Sequence, residues 1–462
     1  MYQGNRIVSR AFRDRVIQRY PFLVSDPQCF ALFEFLAFAT ETDVNGNKLI
    51  PHVVLKQVAG VPSNASSRRF KSGELLEQYE AYFPLFRWSQ YHYQSKTARS
   101  ALHDGLTPAM QKSLDRELAT FHQTPATDRV HFLTGERAAS TSTTDLRDAH
   151  EREARRYRPA LAAPCRLVDY FNDLPVNSFT SIVSENIDSA VQVALALKPR
   201  QRRLELCKLH AIQRQPKPFY GASRAGKTAR ISPHHQTIHL LKRDVKYALI
   251  DGWVTFDLKN AHLAIISKDW RIPEVAKWLS KPSNDAWARL ASLFPGMTLG
   301  SLKPALKEAV YAACFGRQVR RLVEALSDRL GVSFATAKQI FNDDLLVKVF
   351  AHRSYWAAHY AKKGRANDCF GRTFSCPTKR AATKVLPLLA QSTEMKLLLP
   401  ALDLARKRPN DLRIMLWEHD GFSVQFRRDE KRNEGTKRAL VRAINRHCQK
   451  LGYPTRLEEK NS

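Results

Sequence analysis

Acidic side chains are scarce in this chain: 44 Asp and Glu stand against 74 Lys and Arg, a formal net charge of +30 over 462 residues. A protein so short of negative charge is expected to meet a polyanion, and nucleic acid is the first candidate. Long apolar runs are missing too. None approaches the roughly 18 residues that a membrane span needs. No single helix concentrates the positive charge as a membrane-surface helix would, so no membrane partner is expected. The seven cysteines include no C-x-x-C pair. Their odd number and irregular spacing suit neither a zinc site nor a disulfide framework. They read as reduced thiols of a cytoplasmic protein. The first residues, MYQGNRIVSRAFRDR, lack the apolar stretch of a secretory signal, and no internal repeat is visible.

What is present suffices for a core. Apolar residues make up 44% of the chain, and the length accommodates two or three domains. Residues 1–125 read as a mostly helical N-terminal domain, with a dense apolar segment at FALFEFLAF (30–38). Within it, residues 53–79 outline a helix-turn-helix around Gly60-Val61-Pro62. Residues 126–165, including AASTSTT (138–144), read as a linker or exposed arm. Apolar density returns from residue 166.

Two short motifs are set aside. Gly221 to Thr228 matches G-x-x-x-x-G-K-T, the phosphate loop of an ATPase or helicase. That loop must follow a buried strand and open a helix. Here it follows QRQPKPFY and meets Pro233 soon after. Asp115-Arg116-Glu117 could be taken for an exonuclease acid cluster, but it lies in KSLDRELATF, which reads as a solvated helix face.

The chemistry-bearing residues lie between 219 and 426. WVTFDL (253–258) reads as a short strand ending in an acid, Asp257. RIMLWE and FSVQF (413–418, 422–426) read as two strands joined around His419-Asp420-Gly421, a hairpin signal. Two carboxylates carried on neighbouring strands can share a pair of divalent ions, the requirement of two-metal nucleotidyl transfer. Between them, KPALKEAVYAACFGRQVRRLVEAL (303–326) reads as one long helix. Lys303, Lys307, Tyr311 and Phe315 recur at four-residue steps and form one slowly winding stripe. Cations suit a triphosphate, and aromatic rings suit base stacking. Each feature alone also has a plain structural explanation: a helix cap, a turn, or an amphipathic core helix.

Taken in order, these segments resemble the family A DNA polymerases and the related single-subunit phage-type RNA polymerases. FDLKNAHLAI (256–265) is similar to motif A, KPALKEAVYAACFG (303–316) to motif B and LWEHDGFSV (416–424) to motif C. KTARISPHHQTIH (227–239) resembles the segment preceding motif A, and AQSTEMKLLLPAL (390–402) the Gln-bearing helix preceding motif C.

The resemblance implies an α+β right-hand polymerase, with an antiparallel palm sheet and helical thumb and fingers, behind the helical N-terminal domain. Residues 166–240 would form the thumb and palm entry, with LKPRQRRLELCKLH (197–210) gripping the phosphodiester backbone. Residues 241–462 would form palm and fingers, the fingers over about 268–375. Asp257 and Asp420 would bind two Mg²⁺ ions. Lys307 would hold the triphosphate and protonate the leaving pyrophosphate, and Lys303, where Arg is usual, would hold the outer phosphates. Tyr311 would stack on the incoming nucleotide, and Phe315 would sit beside the template base. Arg230 and Gln391 would touch the minor groove at the primer terminus, and His419 would steady the primer end.

Three departures bear on the sugar. His262 stands where the DNA enzymes carry the glutamate that excludes a ribose 2′-hydroxyl, Phe315 where Tyr is usual, and Gly421 follows the second acid. By bulk, stacked on Phe315, His262 would block that hydroxyl. The implied function is primer extension on a nucleic-acid template with dNTPs. NTPs are the alternative substrate, in an RNA polymerase or primase. A phosphate-loop ATPase or helicase-like DNA-binding protein is the second alternative. The compact chain suits a plasmid, phage or mobile-element replicase.

Overall fold

A computed structural model describes residues 6–38, 48–51, 86–94, 97–104, 108–138, 158–159, 161–222, 228–234, 237–281 and 283–460. The protein mixes helix and sheet. Its internal contacts divide it into two units. One comprises Met1–Arg152, Leu174–Phe219 and Pro233–Asp251; the other comprises Glu153–Asp173, Tyr220–Ser232 and Gly252–Ser462.

In the first unit the described part of the N-terminal region has, beside its helices, a sheet that the helical reading did not expect. Lys48–Pro51, Thr97–Asp104 and Phe86–Gln94 form a three-stranded antiparallel sheet with Thr97–Asp104 in the middle. FRWSQYHYQ alternates at period 2 on either side of a phase shift at Ser89-Gln90, a strand signal that the helical reading passed over. The expected linker also begins too early. Arg129–His131 pairs antiparallel with Ile7–Ser9. Beside it Phe132 stacks on Phe12 at 5.6 Å and meets Phe30 edge-on at 4.9 Å. Residues 126–138 are therefore anchored in an aromatic core. Residues 139–157 lie outside the described residues, as do 53–79, the helix-turn-helix outline.

Two charged segments in this unit are less solvated than their sequence suggests. Glu117 is buried, and its carboxylate accepts the Ser9 amide at 2.6 Å while Ser9 caps the helix Arg10–Arg19. Asp115 pairs with Arg203 at 2.8 Å. Arg203 and Lys208 lie in the helix Pro199–Arg214, and Lys208 pairs with the buried Glu205. Two of the cations expected to grip a backbone are thus engaged within the unit. The stretch assigned to one thumb is itself divided, since Glu153–Asp173 belongs to the second unit.

The second unit is built on a four-stranded antiparallel sheet. Its order is Leu412–Trp417, Gly421–Phe426, Val254–Leu258, Leu457–Lys460. Side chains alternate between its faces. Phe256 and Phe422, paired in register, pack at 5.8 Å on one face. Thr255 and Ser423 share a buried hydroxyl hydrogen bond on the other, and this is the face to which Asp257 belongs. The outer strand Leu412–Trp417 would leave amides bare on its free side. Tyr170 and Tyr220 accept them, from Ile414 at 2.9 Å and Trp417 at 2.8 Å.

Helices complete this unit. Those from Ala261 to Lys363, with the first turns of the 29-residue helix Lys379–Lys407, share a core that includes Trp270, Trp287, Leu306, Val310 and Phe341. The stretch 303–326, expected as one helix, is two: Leu299–Cys314 and Val319–Leu330. Gly316, at φ +95°, stops the first. The Arg317 amide returns to Ala312 O, and that of Gly316 to Ala313 O. Those two bonds are a Schellman cap, which wants glycine at its left-handed position.

Candidate active site

Every site residue proposed from the sequence lies in the second unit. Asp257 is the fourth residue of its strand. The partner strand starts at Gly421, directly opposite Asp257. The Glu418 amide donates to Gly421 O, leaving His419 and Asp420 as the two residues of the hairpin turn. The Leu258 amide donates to the Asp420 carbonyl at 2.9 Å. The two acids are therefore neighbours across one pair of hydrogen-bonded strands.

Gly421 is needed for a reason other than turn geometry. Its φ is not among the positive values. A Cβ built there would stand 2.1 Å from the Phe256 carbonyl oxygen and 3.2 Å from Asp257 Cα. Only a residue without a side chain lets the strands close at this point.

The charges are set by burial and by one another. Burial first, then the charge of Asp420, pushes the Asp257 carboxyl up to about 7, against the pull of Lys460 and Lys307. Lys460 lies 2.7 Å from Asp257 Oδ2. It comes from the far strand Leu457–Lys460, which pairs with the Asp257 strand on its other side. Asp257 Oδ1 is buried without a hydrogen-bond partner. Among the described residues, no group of three or more His, Cys, Asp or Glu could hold a metal ion. Two carboxylates held together against their own repulsion, one with a bare buried oxygen, nonetheless suit a divalent cation whose remaining ligands come with an anionic substrate.

The helix Leu299–Cys314 faces this pair. Lys307 acts electrostatically on Asp257 and lies 6.0 Å from the Trp287 ring centroid. Lys303, one turn earlier, is half-buried. Tyr311 lies edge-on to Trp287 at 5.4 Å, and Phe315 is the residue at the C-cap. His262 is the second residue of the helix Ala261–Asp269, which follows the Asp257 strand after Asn260 in the left-handed conformation (φ +51°). Its ring lies 4.9 Å from Tyr311, tilted by 34°. It meets Phe315 edge-on at 5.3 Å rather than stacking on it as expected.

The structure adds a residue that the sequence reading did not single out. Glu394 is fully buried on the helix Lys379–Lys407. It accepts from Arg230 Nε at 3.0 Å and from Arg230 Nη2, and lies 3.1 Å from His262 Nε2. Burial alone would raise its carboxyl, but the imidazole of His262 and the guanidinium of Arg230 outweigh that and hold it down at about 2. Arg230, expected at the minor groove, thus has its guanidinium committed to a carboxylate. One turn before Glu394, Gln391 accepts from the Thr228 hydroxyl at 2.7 Å. His419 is exposed in the hairpin turn beside Asp420.

Asp257, Asp420, Lys307, Tyr311, Phe315 and His262 are linked by contact or by charge, as are His262, Arg230 and Glu394. No such link joins Lys303 to them. Lys460 and Glu394 were missed. Glu394 follows Gln391-Ser392-Thr393 and is soon followed by Lys396, so local pattern did not mark it, and nothing in LEEK marks Lys460. Of the phosphate-loop match, residues 223–227 lie outside the described residues; a buried strand, Phe219–Ala222, precedes them, and the next described element is the strand Ile231–His234, not a helix.

No protein-family model matches the sequence. No curated protein matches it. Among solved structures, the chain is similar to the polymerase domain of Pol1 from M. smegmatis, determined in complex with DNA primer-template and dNTP. The identity is 12%, over 77% of this chain and 73% of that one, with a TM-score of 0.42. No helix among the described residues is long and apolar enough to cross a membrane.

Proposed function

We propose that this chain is a template-dependent nucleotide polymerase of the right-hand type. The observation that carries the reading is Asp257 on a strand paired with the one that Asp420 immediately precedes, beside a helix that presents Lys307, Tyr311 and Phe315. The five sequence segments resembling the family A enzymes and their RNA-polymerase relatives support it.

Asp257 and Asp420 would hold two Mg²⁺ ions, which supply Lewis acidity to the attacking 3′-hydroxyl and charge neutralisation to the triphosphate. The protein's own part is largely positioning. Sheet hydrogen bonds fix the two carboxylates. Lys460 balances Asp257 in the metal-free site. Lys307 neutralises phosphate charge and stands where it can return a proton to pyrophosphate; Lys303 supplements it at the outer phosphates. Tyr311 supports the base and sugar, and Phe315 the templating base. Arg230, Gln391 and His419 lie on the primer side. The substrates are a primed nucleic-acid template and dNTPs, with NTPs as the alternative.

The test is extension of primed and unprimed templates with dNTPs and with NTPs, in Mg²⁺ and in chelator. Extension should require Mg²⁺ and fall by several orders of magnitude in Asp257→Asn and Asp420→Asn, while duplex binding persists. Variants that extend normally would end the reading. Loss of binding in step with extension would make Asp420 a structural residue.

A further inference from the structure

The acid pair has a cation of its own. Glu458 and Lys460 lie two residues apart on the strand Leu457–Lys460 and so share a sheet face with their partners, Asp257 and Thr255. Glu458 stands directly opposite Asp257, yet its carboxylate pairs with Arg456 at 2.8 Å and with Lys259 at 3.7 Å. Lys460 stands opposite Thr255 and reaches along the diagonal, where a long side chain can still make contact. Its ammonium lies 2.7 Å from Asp257 Oδ2. Burial works against that charge, but Asp257, then Asp420 and Glu418, outweigh it and hold the amine above its ordinary value. The ammonium thus lies in the field of three carboxylates, while Asp257 Oδ1 is buried without a hydrogen-bond partner.

A carboxylate shared by two divalent ions offers an oxygen to each. On the two-metal reading, on which this inference rests, Lys460 therefore stands where one of those ions would bind. We infer that Lys460 is a resident counter-ion of the site, and that a divalent ion binds Asp257 Oδ2 only by displacing it. The side chain has room to leave, because it is partly exposed on an outer strand of the sheet.

Charge balance says when the exchange is favourable. With the ammonium in place the two acids are already half neutralised. A lone ion then gains little by entering, and it must break an ion pair strengthened by partial burial. A triphosphate brings enough negative charge to hold the ions and the displaced ammonium together. The ions should accordingly load with the nucleotide rather than ahead of it.

Mn²⁺ binding, followed by electron paramagnetic resonance at mildly alkaline pH without nucleotide, reads this without turnover. Lys460→Met keeps the length of the side chain and removes its charge. It should bind Mn²⁺ more tightly than the wild type by roughly tenfold or more, the scale of one charge-assisted hydrogen bond. Lys460→Gln should do the same, so the measurement survives if one variant fails to fold, which melting temperatures identify. Lys460→Arg should stay near the wild type. Lys307→Met removes a charge that acts on Asp257 electrostatically and should gain clearly less. Amine labelling read by mass spectrometry follows the displacement itself: Lys460 should label slowly in chelator and faster at saturating Mn²⁺. Equal affinity in the wild type and Lys460→Met, an equal gain in Lys307→Met, or labelling of Lys460 indifferent to Mn²⁺ would overturn the inference. If Asp257→Asn leaves the tighter binding of Lys460→Met intact, the acids do not hold the ion, and the two-metal reading fails instead.

Discussion

Glu394 shows how much one buried carboxylate can organise. Its folded value lies below its ordinary one, so its contribution to stability is fully present above pH ~4.3 and is lost as the pH falls towards 2. Glu394→Gln should therefore destabilise the protein at pH 7 by roughly 3 kcal/mol, and the gap in melting temperature should narrow as the pH is lowered from 5 to 3. A gap independent of pH would mean that the loss is one of packing. Asp257 should behave in the opposite sense. Burial and the charge of Asp420 oppose its ionised form, so Asp257→Asn should raise the melting temperature in chelator while abolishing extension. Lys460, 36% exposed at its side chain, can turn to solvent when its partner is removed. The sequence made both acids, Lys307 and the aromatics legible, because strand, turn and helix signals surround them. Glu394 and Lys460 were hidden because their meaning arises only when distant segments meet.

At the level of elements, the strand, the hairpin and the helix around the candidate site were readable from local pattern. Their interruptions were harder to see. Gly316 ends a helix inside a run whose periodicity continues past it, since a left-handed cap costs glycine little whatever surrounds it. Gly421 looked like a turn residue and is instead a strand residue at a point of close approach. Gly421→Ala should part the two acid-bearing strands. We expect a stability loss of roughly 1–3 kcal/mol, because the clash is with backbone and no rotamer relieves it. Extension should fall more steeply than stability, since the acids move apart. Normal extension at unchanged stability would show that the strands have slack here. The sheet at 48–104 was missed although Phe86–Gln94 pairs with the neighbouring Thr97–Asp104, because the alternation in FRWSQYHYQ shifts phase midway; only Lys48–Pro51 joins from far along the chain.

Over the whole molecule the dominant property is charge. With a net charge of +30, binding to any nucleic acid should weaken steeply with salt. The logarithm of the affinity should fall with that of the salt concentration by about 0.9 per phosphate contacted, so more than about tenfold is expected between 50 and 200 mM. Fluorescence anisotropy with a labelled duplex measures this, and a flat response would contradict a backbone-tracking surface. The division into two units could not be foreseen from composition, because the chain crosses between them more than once and no Gly- or Ser-rich linker marks each crossing. One feature of the second unit bears on how copies of the molecule behave towards each other. The tyrosine hydroxyls that meet the amides of Ile414 and Trp417 fill places where a foreign strand would otherwise zip on. With Phe at both positions the rings would still cover that margin but two buried amides would lose their acceptors, and the chain should melt earlier than the native one.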